Sequence, residues 1–237
     1  MATVGNDWYS FKGVEQLDTP TLVIYPQRAV QNIARLIKMV PSVGLLRPHV
    51  KTTKSADVTR MMIDQGIYKF KCATIAEAEM LGMCQAKDVL LAYQPVLTKL
   101  QRLVKLIAAY PNTQFSCLVD NIKTAEMISA YAQQNEISIS VFVDLNVGMD
   151  RTGIRPELAF DLYAQLLNMP GITLLGLHAY DGHINDVSLD ERIQHCEVAF
   201  AEVDKLRQKI KHYGYDLPLL VAGGSPTCTI HAHKQHV

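Results

Sequence analysis

The sequence predicts an α/β fold with a parallel sheet covered by helices. Three observations carry that prediction. Short β-rich apolar runs alternate with amphipathic stretches in a steady rhythm, glycines or a proline punctuate the helical stretches, and polar clusters follow several of the apolar runs. In chain order, Thr21 to Tyr25 reads as a strand after Pro20, and residues 27–39 as a helix with Val30, Ile33, Ile37 and Val40 on one face. Residues 1–20 read as a lead-in and 21–237 as one domain. Further strands are expected near 45–50, 67–73, 88–93, 114–119, 138–144, 173–179 and 218–222, about seven in all, each but the last followed by helical periodicity. The longest helix starts at Ser188-Leu-Asp-Glu191, which has the form of a capping box. It carries Ile193, Cys196, Phe200, Val203, Leu206 and Ile210 at helical spacing and stops at Gly214. Gly66 and Gly82 are read as helix stops, and Pro111 closes the helix that starts near Leu97.

Composition narrows the function classes. The 237 residues are 49% hydrophobic, enough for a substantial core. The 23 basic and 23 acidic side chains are scattered and give zero formal charge, so no electrostatic footprint for nucleic acid or an acidic membrane is expected. Cysteines at 72, 84, 117, 196 and 228 form no C-x-x-C pair and leave one over, which points to reduced thiols and a cytoplasmic protein. The N-terminus lacks the pattern of a secretory signal, and no run of about 18 apolar residues occurs. Small-molecule chemistry fits this balance.

Periodicity alone leaves an open doubly wound sheet and a barrel equally available. Chemistry at the strand ends favours the barrel, whose active sites gather residues from several βα junctions. Lys51 closes the run Leu45-Leu-Arg-Pro-His-Val-Lys51, and a desolvated lysine at a barrel mouth can bind an aldehyde covalently. A solvated helix start is the alternative for Lys51 and Lys54. Gly223-Gly224-Ser225 offers backbone N–H groups to an anion, or else is an ordinary tight turn. Arg151, between Gly148 and Gly153, presents a planar fork for an oxyanion or makes a surface ion pair. Tyr180, His178 and His183 are either site residues or satisfied core groups.

Together, Leu17-Asp-Thr-Pro-Thr-Leu-Val23, Arg47-Pro-His-Val-Lys-Thr52, Cys72-Ala-Thr-Ile-Ala-Glu-Ala-Glu79, Asp144 through Gly153, Gly176-Leu-His-Ala-Tyr180 and Gly223-Gly-Ser-Pro-Thr227 occur in family order. They resemble the pyridoxal-phosphate barrel enzymes that include D-threonine aldolase and eukaryotic-type D-serine dehydratase, related to the alanine racemase N-terminal domain. The resemblance spans roughly residues 17–231. It implies a (β/α)8-type TIM barrel that holds pyridoxal 5'-phosphate, with Lys51 as the Schiff-base lysine and catalytic residue. It further implies that Tyr180 lies against the pyridine ring, that Arg151 addresses the ring oxygen, and that Gly223, Gly224, Ser225 and Thr227 hold the phosphate. His49, Gln94 and Thr74 are second contacts. The implied reaction is retro-aldol cleavage of a D-3-hydroxy-amino acid to glycine and an aldehyde, with D-serine dehydratase-like deamination, a non-catalytic cofactor-binding barrel or an inactive fragment as alternatives. A homodimer is compatible with it.

Two departures stand out. Family members usually read Lys-Thr-His-Lys where this chain has Lys51-Thr52-Thr53-Lys54. Relatives also continue past His231-Ala-His-Lys-Gln-His-Val237 into a last barrel segment and a C-terminal β-domain whose residues bind a divalent metal. The barrel is therefore expected to be truncated before its last strand and to lack those metal ligands. His231, His233 and His236 are expected to be solvated, with no metal site of their own.

Overall fold

A computed structural model describes residues 7–234. Six parallel strands, β1 (Lys69–Cys72), β2 (Asp88–Leu91), β3 (Gln114–Val119), β4 (Ile139–Leu145), β5 (Ile172–Ala179) and β6 (Leu219–Ala222), lie side by side in sequence order. Helices α1 (Pro26–Lys38) and α2 (Ala56–Asp64) precede β1. Five helices alternate with the strands: α3 (Ile75–Met83), α4 (Leu97–Ala109), α5 (Ile122–Gln134), α6 (Ala159–Leu167) and α7 (Leu189–His212), and α8 (Cys228–Ala232) follows β6. An unbroken 1-to-6 order of parallel strands with helical crossovers is the arrangement of a curling barrel wall, whereas a doubly wound sheet reverses direction at a switch point. The fold is thus an incomplete (β/α)8-type barrel.

Strand alternation divides the interior in two. Phe70, Cys72, Val89, Leu91, Phe115, Cys117, Val141 and Val143 belong to the main core that the helices share. The opposite face of the sheet holds a small cluster of Leu90, Leu118 and Phe142, with Ala92, Leu175 and Val221 against it. Toward the strand ends that second face turns polar, with Lys71, Asp144 and His178 all buried. Gly176 is required where β5 meets β6, because a Cβ on it would stand 2.1 Å from the carbonyl oxygen of Leu219. Its pairing follows a register shift in which Val141 faces Leu174 and Phe142 faces Gly176.

Most expected elements form, with four corrections. Thr21 to Ile24 is exposed coil that joins no strand, and Tyr25 instead caps α1, its carbonyl accepting from the Ala29 amide at 3.0 Å. Residues 45–50 contribute a single parallel bridge, His49 to Lys71, between two 3-10 turns, and Pro48 has no amide hydrogen to extend a ladder. Gly82 lies within α3, where a Cβ would sit 2.7 Å from the Tyr110 ring; close packing explains it, not a helix stop. His231 is buried, not solvated, while His233 is exposed and His236 lies outside the described residues. The α7 start is as expected, with the Ser188 hydroxyl accepting from the Glu191 amide.

Candidate active site

A cavity of about 450 Å³ opens between the 45–52 segment and β6. Lys51 and His49 line one side, Lys71 the inner wall, and Tyr180 with Gly223, Gly224 and Ser225 the other. Lys51 sits in the 3-10 turn Val50–Thr52, where its amide donates to His49 Nδ1 at 3.1 Å. Burial, with the charges of Lys71 and Lys51 adding to it, lowers the His49 imidazole to about 4, so it is neutral and free to accept that bond. Lys54 has a left-handed backbone (φ 49) and lies outside the cavity lining, which separates the two lysines the sequence left side by side.

The desolvation expected of Lys51 is found elsewhere. Lys51 is solvent-exposed, whereas Lys71 is 8% exposed, and burial drives its ammonium down to about 8. Lys71 Nζ lies 2.8 Å from His178 Nε2, and His178 Nδ1 lies 2.7 Å from Asp144 Oδ1. Burial raises the Asp144 carboxyl, but the hydrogen bonds from His178, Thr152 and Gln94 outweigh this and hold it below its ordinary value. Burial beside the Lys71 charge lowers His178 to about 4. An ionised carboxylate only accepts, so His178 carries its proton on Nδ1, and Nε2 accepts from Lys71.

Gln94 and Thr227 are placed away from direct cavity contact. The Gln94 amide donates to Asp120 Oδ2 at 2.9 Å and Asp144 Oδ2 at 3.0 Å, which holds the carboxylate that holds His178. Thr227 is fully buried, and its hydroxyl donates to Asp181 Oδ1 and accepts from the Gly224 amide, both at 2.8 Å. Thr74 caps α3 through the Glu77 amide at 3.1 Å. Arg151 approaches the Tyr180 ring to 5.4 Å, as do Lys71 at 5.4 Å and Lys51 at 5.8 Å, so three basic side chains surround that phenol. Sequence reading had not singled out Lys71. Its signal was the alternation Lys69-Phe70-Lys71-Cys72 inside a strand otherwise covered on both faces.

The diglycine turn is built for close approach. Gly223 has φ 93, and a Cβ on Gly224 would meet Tyr180 Cε2 at 3.3 Å. Behind it Asp181 Oδ2 pairs with His231 Nε2 at 2.7 Å. Burial raises the Asp181 carboxyl, yet bonds from His231 and Thr227 keep it below its ordinary value. Asp181, Cys196 and His231 bring ligand atoms within 4.8 Å of one another. The 2.7 Å contact leaves no room for an ion between carboxylate and imidazole, because two ligands at about 2.0–2.1 Å on a tetrahedral metal stand farther apart. These residues fit a hydrogen-bonded brace, not a resident metal. The expected amide cradle is narrower than the sequence suggests, because the Gly223 amide donates to the Ala179 carbonyl at 3.2 Å and the Gly224 amide to the Thr227 hydroxyl. The cavity still fits a phosphorylated aldehyde, with a lysine on one wall and, on the other, Ser225 beside two glycines that carry no side chain to block an anion.

The described residues form an incomplete parallel barrel whose strand ends border one cavity, with a lysine on one side and a glycine turn on the other. The alanine racemase N-terminal domain model matches residues 24–237, and the chain belongs to that family. It is 26% identical over 219 residues to D-threo-3-hydroxyaspartate dehydratase of Delftia sp. (strain HT23), covering 89% of this chain and 56% of the relative. It is also 26% identical over 230 residues to 3-hydroxy-D-aspartate aldolase of Paracoccus denitrificans (strain Pd 1222), covering 93% and 58%. The solved D-threonine aldolase from Filomicrobium marinum superposes with a TM-score of 0.83 at 24% identity, over 92% of this chain and 60% of that one, which shows the shared fold. The chain thus spans just over half the length of these relatives. Among the described residues no helix is long and apolar enough to cross a membrane.

Proposed function

We propose that this chain forms the cofactor-holding part of a pyridoxal-phosphate-dependent lyase for D-3-hydroxy-amino acids, D-threonine aldolase-like in its chemistry. The observation that carries the reading is that Lys51, Tyr180 and the Gly223–Ser225 turn border a single cavity. When bound there, pyridoxal phosphate supplies the electron sink for the pair left on Cα as a substrate bond breaks. Lys51 binds the aldehyde, and its exposure leaves it accessible to an incoming substrate amine. Ser225 donates to the phosphate, while Gly223 and Gly224, whose amides serve the Ala179 carbonyl and the Thr227 hydroxyl, leave it room to approach. Tyr180 bounds the ring site, Arg151 offers its fork to an oxygen, and His49 fixes the backbone of Lys51. The dehydratase and aldolase names of the relatives support substrates with a hydroxyl next to Cα.

The test is an assay of purified protein with added cofactor on D-threonine, D-serine and 3-hydroxy-D-aspartate. Glycine and an aldehyde support an aldolase. Pyruvate and ammonia from D-serine support a dehydratase. Neither product, with cofactor still bound, reduces the proposal to a binding barrel. In this reading no described residue is a metal ligand, and a measurement of mass in solution tests for a homodimer.

A further inference from the structure

Lys71 serves no purpose that folding alone explains. It places an amine against the inner wall of the cavity, where its charge is costly and an apolar side chain would fill the space. Its one close partner, His178, is fixed as an acceptor at Nε2 by Asp144 on the far side of the ring. Lys71 therefore spends one N–H on His178. When neutral it keeps a second N–H and a lone pair, and it lines the same cavity as Lys51.

We propose that Lys71 is a further catalytic residue of this site, the base that takes the proton from the substrate hydroxyl and the acid that returns it to Cα. His178 and Asp144 are its positioning residues. The step balances. The O–H pair becomes the carbonyl bond of the leaving aldehyde, the Cα–Cβ pair moves to Cα, and the proton carried by Lys71 closes the new C–H bond of glycine. No oxidant, reductant or further reactant is consumed. The proposal rests on the pyridoxal-phosphate reading above and deepens it.

The surroundings suit a group that must both gain and lose a proton. His178 faces Lys71 from β5, Asp144 from β4 and Asp181 from beyond β5, while Arg47, His49 and Lys51 face it from the segment before α2. Arg47 is held by a bidentate pair with Asp88, one contact at 2.6 Å. Burial and the neighbouring basic groups bring Lys71 to about 8, against the pull of Asp144 and Asp181, so both of its forms are populated near neutrality.

The experiment compares wild type, Lys71→Met, Lys71→Arg and His178→Asn, each loaded with pyridoxal phosphate and given glycine in deuterium oxide. It reads Cα–H exchange by NMR, the pH dependence of cofactor absorbance, and the lysine that borohydride fixes to the cofactor. The expected result is cofactor on Lys51 in all four proteins. Lys71→Met should lose about 100-fold or more in exchange, and the spectral inflection near pH 8 should vanish. Lys71→Arg should fail to rescue, because a guanidinium holds charge but does not release its proton. His178→Asn should retain an intermediate rate with a displaced inflection. Unchanged exchange and an unchanged spectral profile in Lys71→Met, or full rescue by arginine, would overturn the role of Lys71 while leaving Lys51 intact. Absence of fixed cofactor on wild-type Lys51 would instead overturn the cofactor reading, and this role with it.

Discussion

Lys71 Nζ and His178 Nε2, 107 residues apart in sequence, meet at 2.8 Å across the mouth of the barrel. The contact ties β1 to β5 and puts the buried amine on Lys71, where the sequence had pointed to Lys51 as the desolvated lysine. Its energetic sign follows from burial. The folded ammonium is lowered from 10.5 to about 8, so between those values the unfolded chain binds a proton that the folded chain has released. Stability contributed by this group is therefore present above pH 10.5, is lost as pH falls through 8, and is missing at neutral pH.

Lys71→Met tests that sign in thermal or urea unfolding. At pH 7 the variant sheds a charge-burial cost of up to about 3 kcal/mol and leaves His178 Nε2 without its donor at a cost of about 1–3 kcal/mol, so the net change is small. The slopes differ. Wild type gains stability relative to the variant between about pH 8 and 10.5, and parallel curves across that range contradict the burial argument.

His49 and His178 set an acid limit. Both are lowered from 6.5 to about 4 by burial, so between those values only the unfolded chain is protonated. Their contribution to stability is complete above pH 6.5 and drains away as pH falls toward 4. Replacing His178 with Asn should flatten part of that fall in a plot of unfolding midpoint against pH, and an unaltered slope would show that the imidazole is not held neutral.

Two substitutions separate the anion turn from its brace. Gly223→Ala forces a side chain onto a backbone at φ 93, a cost of about 1–2 kcal/mol, and should weaken pyridoxal phosphate binding without disturbing α7. Asp181→Asn leaves one of the two donors, His231 or Thr227, without a carboxylate oxygen. It should cost about 1–3 kcal/mol of stability and weaken the cofactor roughly tenfold. Calorimetry of binding with inorganic phosphate and with the cofactor reads both. Native affinity in Gly223→Ala would exclude the turn as the phosphate seat.

The barrel was legible because its signals are local. Strands at 114–119 and 172–179 are short apolar runs between helical periods, and Ser188 with Glu191 marks a helix start within four residues. The lysine, the tyrosine and the diglycine were legible as residue types in family order. What escaped was every relationship that depends on closure. Thr227 looks like a phosphate ligand from its place after Gly-Gly-Ser-Pro, yet its hydroxyl is committed to Asp181, 46 residues earlier. Gln94 likewise serves two carboxylates that reach it from the ends of other strands. Lys71 reads as one more surface lysine until the strand alternation is combined with the position of His178. The segment at 45–50 failed as a strand for a local reason that was visible, the proline at 48.

The most direct measurement is borohydride reduction of the purified chain with pyridoxal phosphate, followed by peptide mass spectrometry and repeated on Lys51→Ala and Lys54→Ala. The account predicts the cofactor mass on the peptide containing Lys51, abolished in Lys51→Ala and retained in Lys54→Ala. Cofactor fixed at Lys54 or Lys71 in the wild-type protein, or fixed equally well when Lys51 is gone, would contradict it.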